Sequence, residues 1–164
     1  MGGRITRSNT QLRPDPRHGN IVVARFINCI MYDGKKAVAQ RVMYDCLDII
    51  TKKLEKETSP DKPATAVEAF ELAIDKVKPF VEVRSKRIGG ANYQVPMQVN
   101  KKRQQSLAFR WVIDSTRAEK GRPMAERLAD EIYNAAKGEG KAMQTRDQTH
   151  RMAEANRAFA HFAN

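Results

Sequence analysis

The feature that most constrains this chain is a single change of hydrophobic period. Elsewhere apolar residues recur at helical spacing, but Val81 and Val83 alternate with Glu82 and Arg84. Tyr93, Val95, Met97 and Val99 alternate in the same way with Gln94, Pro96 and Gln98. Steps of two mark strands, and the intervening Ile88-Gly89-Gly90-Ala91-Asn92 is a Gly-rich turn, so the pattern predicts one β-hairpin. Pro96 has no amide hydrogen, which leaves at least one side of its strand unpaired. An isolated hairpin is marginal in water. This one must therefore pack its apolar base on helices and project its other end.

The flanking segments supply those helices. Asn20 caps a run with Ile21, Val22, Phe26, Ile30 and Met31 at helical spacing, stopped by Asp33-Gly34. Over Lys35–Leu54 an apolar stripe is expected from Ala37, Val38, Val42, Met43, Leu47, Ile49, Ile50 and Leu54. After a Pro-containing loop, Thr65-Ala-Val-Glu68 reads as a capping box. It opens a helix with Val67, Phe70, Ala73, Ile74 and Val77 inward, ending near Pro79. Beyond the hairpin, Asn100 caps a helix to about Thr116 with Leu107, Ala108, Trp111 and Val112 in the core. Pro123 opens the next, with Leu128, Ile132, Ala135 and Ala136 inward and Gly138 or Gly140 closing it. Thr145-Arg-Asp-Gln148 reads as a second capping box, starting a last helix to about Phe162. The expected fold is mainly α, about six helices with one protruding β-hairpin arm. Residues 1–19 are expected to form a basic N-terminal arm. Residues 20–164 are expected to form a single helical domain with the hairpin inserted at about 80–99.

At 164 residues and 41% hydrophobic composition, one domain with a real core is expected. No apolar run approaches the ~20 residues of a membrane helix, and no secretory h-region precedes the domain. Cys29 and Cys46 are too few for a disulfide framework or a four-thiolate zinc site; they read as reduced thiols. His18, His150 and His161 do not stand at metal-ligand spacing with Cys or carboxylates. They read as surface polar groups. Phosphate-loop, nucleophile-elbow and zinc-protease motifs are absent. Nothing nominates a nucleophile with a base, so neither enzymatic activity nor a cofactor is expected.

The formal net charge is +11, and it is unevenly spread: +5 over residues 1–40, −2 over 41–77, +7 over 78–110 and +1 over 111–164. Concentrated positive charge favours a polyanion, through Coulomb attraction and counterion release. Arg4, Arg7, Arg13 and Arg17 lie in a proline-containing tail too polar to fold alone. Lys35 and Lys36 stand at a helix start, the wrong end of the dipole, which hints at a binding role. The hairpin carries Arg84, Lys86 and Arg87, with Asn92 and Tyr93 at its turn, and Lys101, Lys102 and Arg103 follow it. Arg and Lys neutralise phosphates; Tyr can stack on a base and Asn can read one. The absence of side chains at Gly89 and Gly90 also lets a nucleic acid approach the backbone closely.

The segments FINCIMYDGKKAVAQRVMYD, VKPFVEVRSKRIGGANYQVPMQV, RQQSLAFRWV and RMAEANRAFAHF resemble the bacterial-type small-subunit ribosomal protein seven family. The resemblance runs collinearly over about residues 12–162. It implies a helical domain with a protruding β-arm that binds the 3′ major domain of small-subunit ribosomal RNA and nucleates assembly of the head. It also implies exit-site transfer RNA, messenger RNA and small-subunit protein eleven as neighbours, a cytoplasmic, ribosome-bound location, and no membrane partner. Carried over by position, the RNA-binding residues are Arg4, Arg7, Arg13, Arg17, Lys35, Lys36, Arg84, Lys86, Lys101, Lys102, Arg103, Arg110, Arg117, Lys120, Arg122 and Met124. Arg87, Gly89, Gly90, Asn92 and Tyr93 fall nearest transfer and messenger RNA. The Glu55–Lys62 loop is longer than is typical of the family, and Phe162-Ala-Asn164 lacks its aromatic-basic ending. The alternative is a free nucleic-acid-binding regulator, such as a repressor of its own messenger.

Overall fold

The computed structural model describes residues 11–58 and 62–163; Arg4 and Arg7 lie outside them. Helix α1 (Ile21–Ile30) starts where the Asn20 side chain accepts from the Val22 and Val23 amides at 2.7 and 3.2 Å. Two amides that no helical carbonyl can reach are thereby satisfied. Helix α2 spans Lys36–Lys56, and α3, Ala66–Val77, opens with the Thr65–Glu68 capping box in both directions. Strands β1 (Val81–Ile88) and β2 (Ala91–Gln98) pair antiparallel, Val81 opposite Gln98 through Ile88 opposite Ala91. Their two-residue loop, Gly89-Gly90, has φ of +56° and +89°, the left-handed pair that matches the twist of a tight hairpin. Helix α4 (Lys101–Ala118) is capped by Asn100, α5 spans Met124–Lys137, and α6 spans Lys141–Ala155. A 3₁₀ segment, Arg157–Ala163, follows.

The core is formed by the inner faces of the helices. Phe26 of α1 meets Phe70 of α3 and Phe109 of α4, with ring centroids 5.0 and 5.1 Å apart. Each fully buried side chain of this size contributes roughly 1.5–3 kcal/mol by leaving water. Met43, Leu47, Ile50, Leu128 and Ile132 fill the space where α2 and α5 close on the same cluster.

Five expectations are corrected. The apolar stripe of α2 begins at Ala39; Ala37 and Val38 are exposed, because they stand on the first turn, ahead of the buried positions. Phe109, not Trp111, takes the core position of α4, and Trp111 is half-buried at the core's edge. Thr145 is not a cap: α6 starts four residues earlier, and the Thr145 hydroxyl donates to the Lys141 carbonyl within it. That same helix ends at Ala155 and tightens to 3₁₀ instead of continuing to Phe162. In the hairpin, Val81 and Val83 are only half-buried, whereas Glu82 and Val95 on the opposite face are buried.

Segment 15–19 is held against α2. The buried Asp15 carboxylate accepts from the Arg17 and His18 amides and from the Tyr44 hydroxyl, the last at 2.7 Å. Burial and that carboxylate push the Tyr44 hydroxyl up to about 12, so Tyr44 remains a donor at any physiological pH.

Candidate nucleic-acid interface

Helix α4 sets the geometry. At its start Asn100 accepts from the Arg103 amide, and the Val99 amide donates to Phe80 O, so the helix begins at the hairpin base. At its end Arg117 donates to Ile30 O, so it finishes beside the turn between α1 and α2. Eighteen residues at 1.5 Å each span about 27 Å, and α4 is therefore a rigid bar joining the two basic regions. Spacings of eight and seven residues return to within about 80° of one face, so Lys102, Arg110 and Arg117 share a side of it. All three are exposed. Arg110 approaches α1 closely enough to oppose, in part, the upward push that burial gives the Cys29 thiol.

The expected binding residues divide into two groups. Among the described residues, Arg13, Lys35, Lys36, Arg87, Lys101, Lys102, Arg110 and Lys120 are exposed and carry no ion pair. The others are engaged within the protein. Glu82, 7% exposed, accepts from Arg84 Nε at 2.6 Å and from Arg103 Nε at 3.0 Å. Lys86 donates to Phe162 O at 2.7 Å. Arg17 pairs with Asp48 and lies over the Tyr44 ring, while Arg122 bridges Asp130 and Glu119. Burial alone would raise the Asp130 carboxyl, but hydrogen bonds from Lys53 and Arg122 outweigh it and hold the group below the usual carboxylate range.

Tyr93 departs most from expectation. It lies in β2, not in the turn, and its ring packs on Phe159 and Phe162 of the 3₁₀ segment, with centroids 5.2 and 5.4 Å away. Period-two alternation alone cannot show that Phe159 and Phe162, far downstream in the chain, cover this face. At the hairpin tip, Arg87, Gly89, Gly90 and Asn92 are exposed. Met124 lines a shallow groove with Ile30, Tyr32, Lys35, Val38, Ala39, Val42 and Arg117.

Two exposed aromatics escape the sequence reading. Tyr32 is 73% exposed and Phe80 75%. Tyr32 precedes Asp33-Gly34, and a large side chain beside a turn signal was the available clue. Phe80 stacks on His150, whose Nε2 accepts from the Phe80 amide at 3.3 Å. The described residues contain no cluster of three or more His, Cys, Asp or Glu arranged to hold a metal ion, and no helix long and apolar enough to cross a membrane.

Known proteins match this sequence along almost the whole chain. A family model described as Ribosomal protein S7p/S5e matches residues 3–157. The chain is 58% identical over 161 residues to "Small ribosomal subunit protein uS7" of Rhodopirellula baltica, covering 98% of this chain and 99% of that protein. It is 49% identical over 152 residues to the protein of the same name from Thermotoga neapolitana, covering 93% of each. With the Dichelobacter nodosus protein of that name it shares 48% over 162 residues, 99% of each. The chain belongs to the ribosomal protein S7p/S5e family, as a structural, non-enzymatic protein of the bacterial-type small ribosomal subunit.

Proposed function

We propose that this protein docks on the 3′ major domain of small-subunit ribosomal RNA and nucleates assembly of the subunit head. It works by charge neutralisation and shape, without a chemical step. Residues 1–19 serve as a basic arm, and residues 20–164 as one RNA-binding domain. The unpaired cations at the α1–α2 turn and along α4 contact rRNA phosphates. The hairpin tip, Arg87–Asn92, extends toward exit-site transfer RNA and messenger RNA, and small-subunit protein eleven is a neighbour. The observation that carries this reading is the bar of α4: a rigid helix presents unpaired Lys102 and Arg110 on one face between two further basic regions. Such a fixed array suits a folded polyanion better than a flexible one, because its ordering cost is met within the protein.

Footprinting of small-subunit rRNA with and without the protein tests it. Protection confined to the 3′ major domain is expected; protection elsewhere, or none, rejects the assignment. Deleting Ile88–Asn92 should leave incorporation into subunits intact and impair exit-site function. Subunits that lack the truncated protein would overturn that division of labour.

A further inference from the structure

A separate basic feature lies at the other end of α2 from the α1–α2 turn. Helix α2 carries Lys36 at its start and Leu54 near its end, roughly 27 Å apart at 1.5 Å per residue. There the end of α2, one face of α3 and the end of α5 enclose a groove of about 410 Å³. Its apolar walls are Leu54, Pro63, Ala69, Leu72, Ala136 and the Tyr133 ring. Leu72 is 39% exposed, a large apolar side chain open to water in the middle of α3. Apolar area left open beside charged groups marks a contact surface. None of the described residues assigned above to RNA lines this groove.

The charge around the groove selects its occupant. Lys62, Lys76 and Lys137 line it with one carboxylate, Glu57. Lys137 pairs with Glu57 at 2.7 Å. Lys62 donates to Leu54 O and Glu57 O at 3.1 and 2.9 Å, and Lys76 donates to Ala136 O at 2.6 Å. Those carbonyls are neutral groups at the ends of α2 and α5, and each helix end carries roughly half a negative charge. Three lysines against one carboxylate and two helix ends leave about one positive charge over apolar walls. The acids of α3 are engaged elsewhere: Glu68 closes the capping box, Glu71 accepts from Asn20, and Asp75 pairs with Lys78. The groove is therefore cationic although residues 41–77 are net −2. A nucleotide would need an open ring to stack on. The Tyr133 ring already carries the Lys53 and Lys137 ammonium groups at 5.1 and 4.3 Å, and its hydroxyl donates to Glu57. We infer that this groove docks an acidic segment of a partner protein, seating a leucine-type side chain between Leu54, Leu72 and Tyr133, with carboxylates on Lys62 and Lys76. Charge complementarity sets the register and the apolar walls hold the anchor. The inference does not depend on the rRNA reading, and the distance along α2 lets the protein hold RNA and this partner together.

The test uses the full chain and a fluorescent synthetic peptide with Leu at helical spacing and Glu between. Two control peptides replace Leu by Ala or Glu by Lys, and a small-subunit rRNA transcript is the fourth probe. The acidic leucine peptide should bind about ten-fold more tightly than either control, and in NMR spectra it should shift the amides around Leu72 and Ala136. Leu72→Gln changes an exposed position, so circular dichroism and the thermal midpoint should match the parent. Its affinity for the peptide should fall about five-fold or more, as truncating one interface anchor does, and its affinity for the transcript should not move. The Lys62→Gln, Lys76→Gln double variant keeps an N–H donor at each site, and its peptide binding should lose most of its salt dependence. Lys102→Ala should weaken transcript binding and leave peptide binding alone. Absence of peptide binding, equal binding of the three peptides, or shifts confined to α4 and the α1–α2 turn would overturn the docking groove. Weaker transcript binding by folded Leu72→Gln would make the groove an RNA surface and overturn it as well. In each case the rRNA reading is judged separately, by Lys102→Ala and the transcript.

Discussion

The hairpin and the α1–α2 turn look alike in sequence, each basic and each punctuated by glycine, yet they present their charge differently. On the hairpin, Arg84 is drawn in by Glu82, Lys86 by the Phe162 carbonyl, and Arg103 at its base by Glu82 again. At the turn, Lys35 and Lys36 have no such partners. One buried carboxylate thus draws in Arg84 and Arg103 and braces the hairpin base, whereas both lysines of the turn stay available, as do Arg87 at the hairpin tip and Lys102 and Arg110 along α4. Net charge counts cations; binding depends on those whose counterions are still solvent ions.

The largest expected effect follows directly. Replacing Lys35, Lys36 and Lys102 with Ala should reduce the slope of log affinity against log salt for an rRNA transcript by up to ~0.9 for each phosphate no longer neutralised. The double replacement of Arg84 and Arg103 should reduce it less, because part of their charge is already neutralised. Equal slopes for the two variants would break the comparison. Next in size is Glu82→Gln. It keeps the shape but leaves two arginines without their carboxylate. Both arginines are partly solvated, with side chains 54% and 37% exposed. The cost should therefore be about 1–2 kcal/mol, below that of a fully buried pair. A thermal midpoint lowered by about 2–6 °C is expected, together with a steeper salt slope for RNA as the two cations are released. If neither changes, Glu82 does not brace the hairpin.

Much of this was legible in the sequence, and what was missed shares a cause. Asn20, Thr65 and Asn100 as caps, Gly89-Gly90 as the turn, and the inward faces of α3 and α5 are local signals, decided within about four residues. The misassigned face of the hairpin, the cover over Tyr93 and the capture of Arg103 by Glu82 depend on residues twenty or more positions apart. Thr145 carried a valid capping pattern, but Gly138, with φ +93°, and Gly140, with φ +103°, let the chain restart the helix four residues before it. Which of the basic candidates are engaged internally could be read only from the fold.

A smaller effect separates the two turns. Gly34→Ala and Gly89→Ala both place a Cβ at positive φ with no atom within 4 Å, so each should cost about 1 kcal/mol through strain alone. Only Gly34→Ala should also weaken rRNA binding, because that turn carries Lys35. A matching loss of affinity in both variants would show that the hairpin tip contributes to the same RNA contact.

The smallest effect lies at the hairpin's foot. The Phe80 amide needs a lone pair on His150 Nε2, which exists only while the ring is neutral in that tautomer. Burial lowers the His150 pKa and Arg146 adds to this, with Asp147 opposing. The folded protein therefore binds the proton at lower pH than the unfolded chain does. Stability from this group is complete above the ordinary value near 6.5 and is lost as pH falls from there toward the lowered value. An NMR titration should find the His150 ring, assigned by its absence in His150→Gln, protonating below 6.5. His150→Gln, which retains an acceptor but does not titrate, should lose less stability on acidification than the parent. A ring that titrates at its ordinary value would mean that the foot of the hairpin is open to water. The rigidity ascribed to that half of the molecule would then rest on Glu82 and the Phe159–Phe162 cover alone.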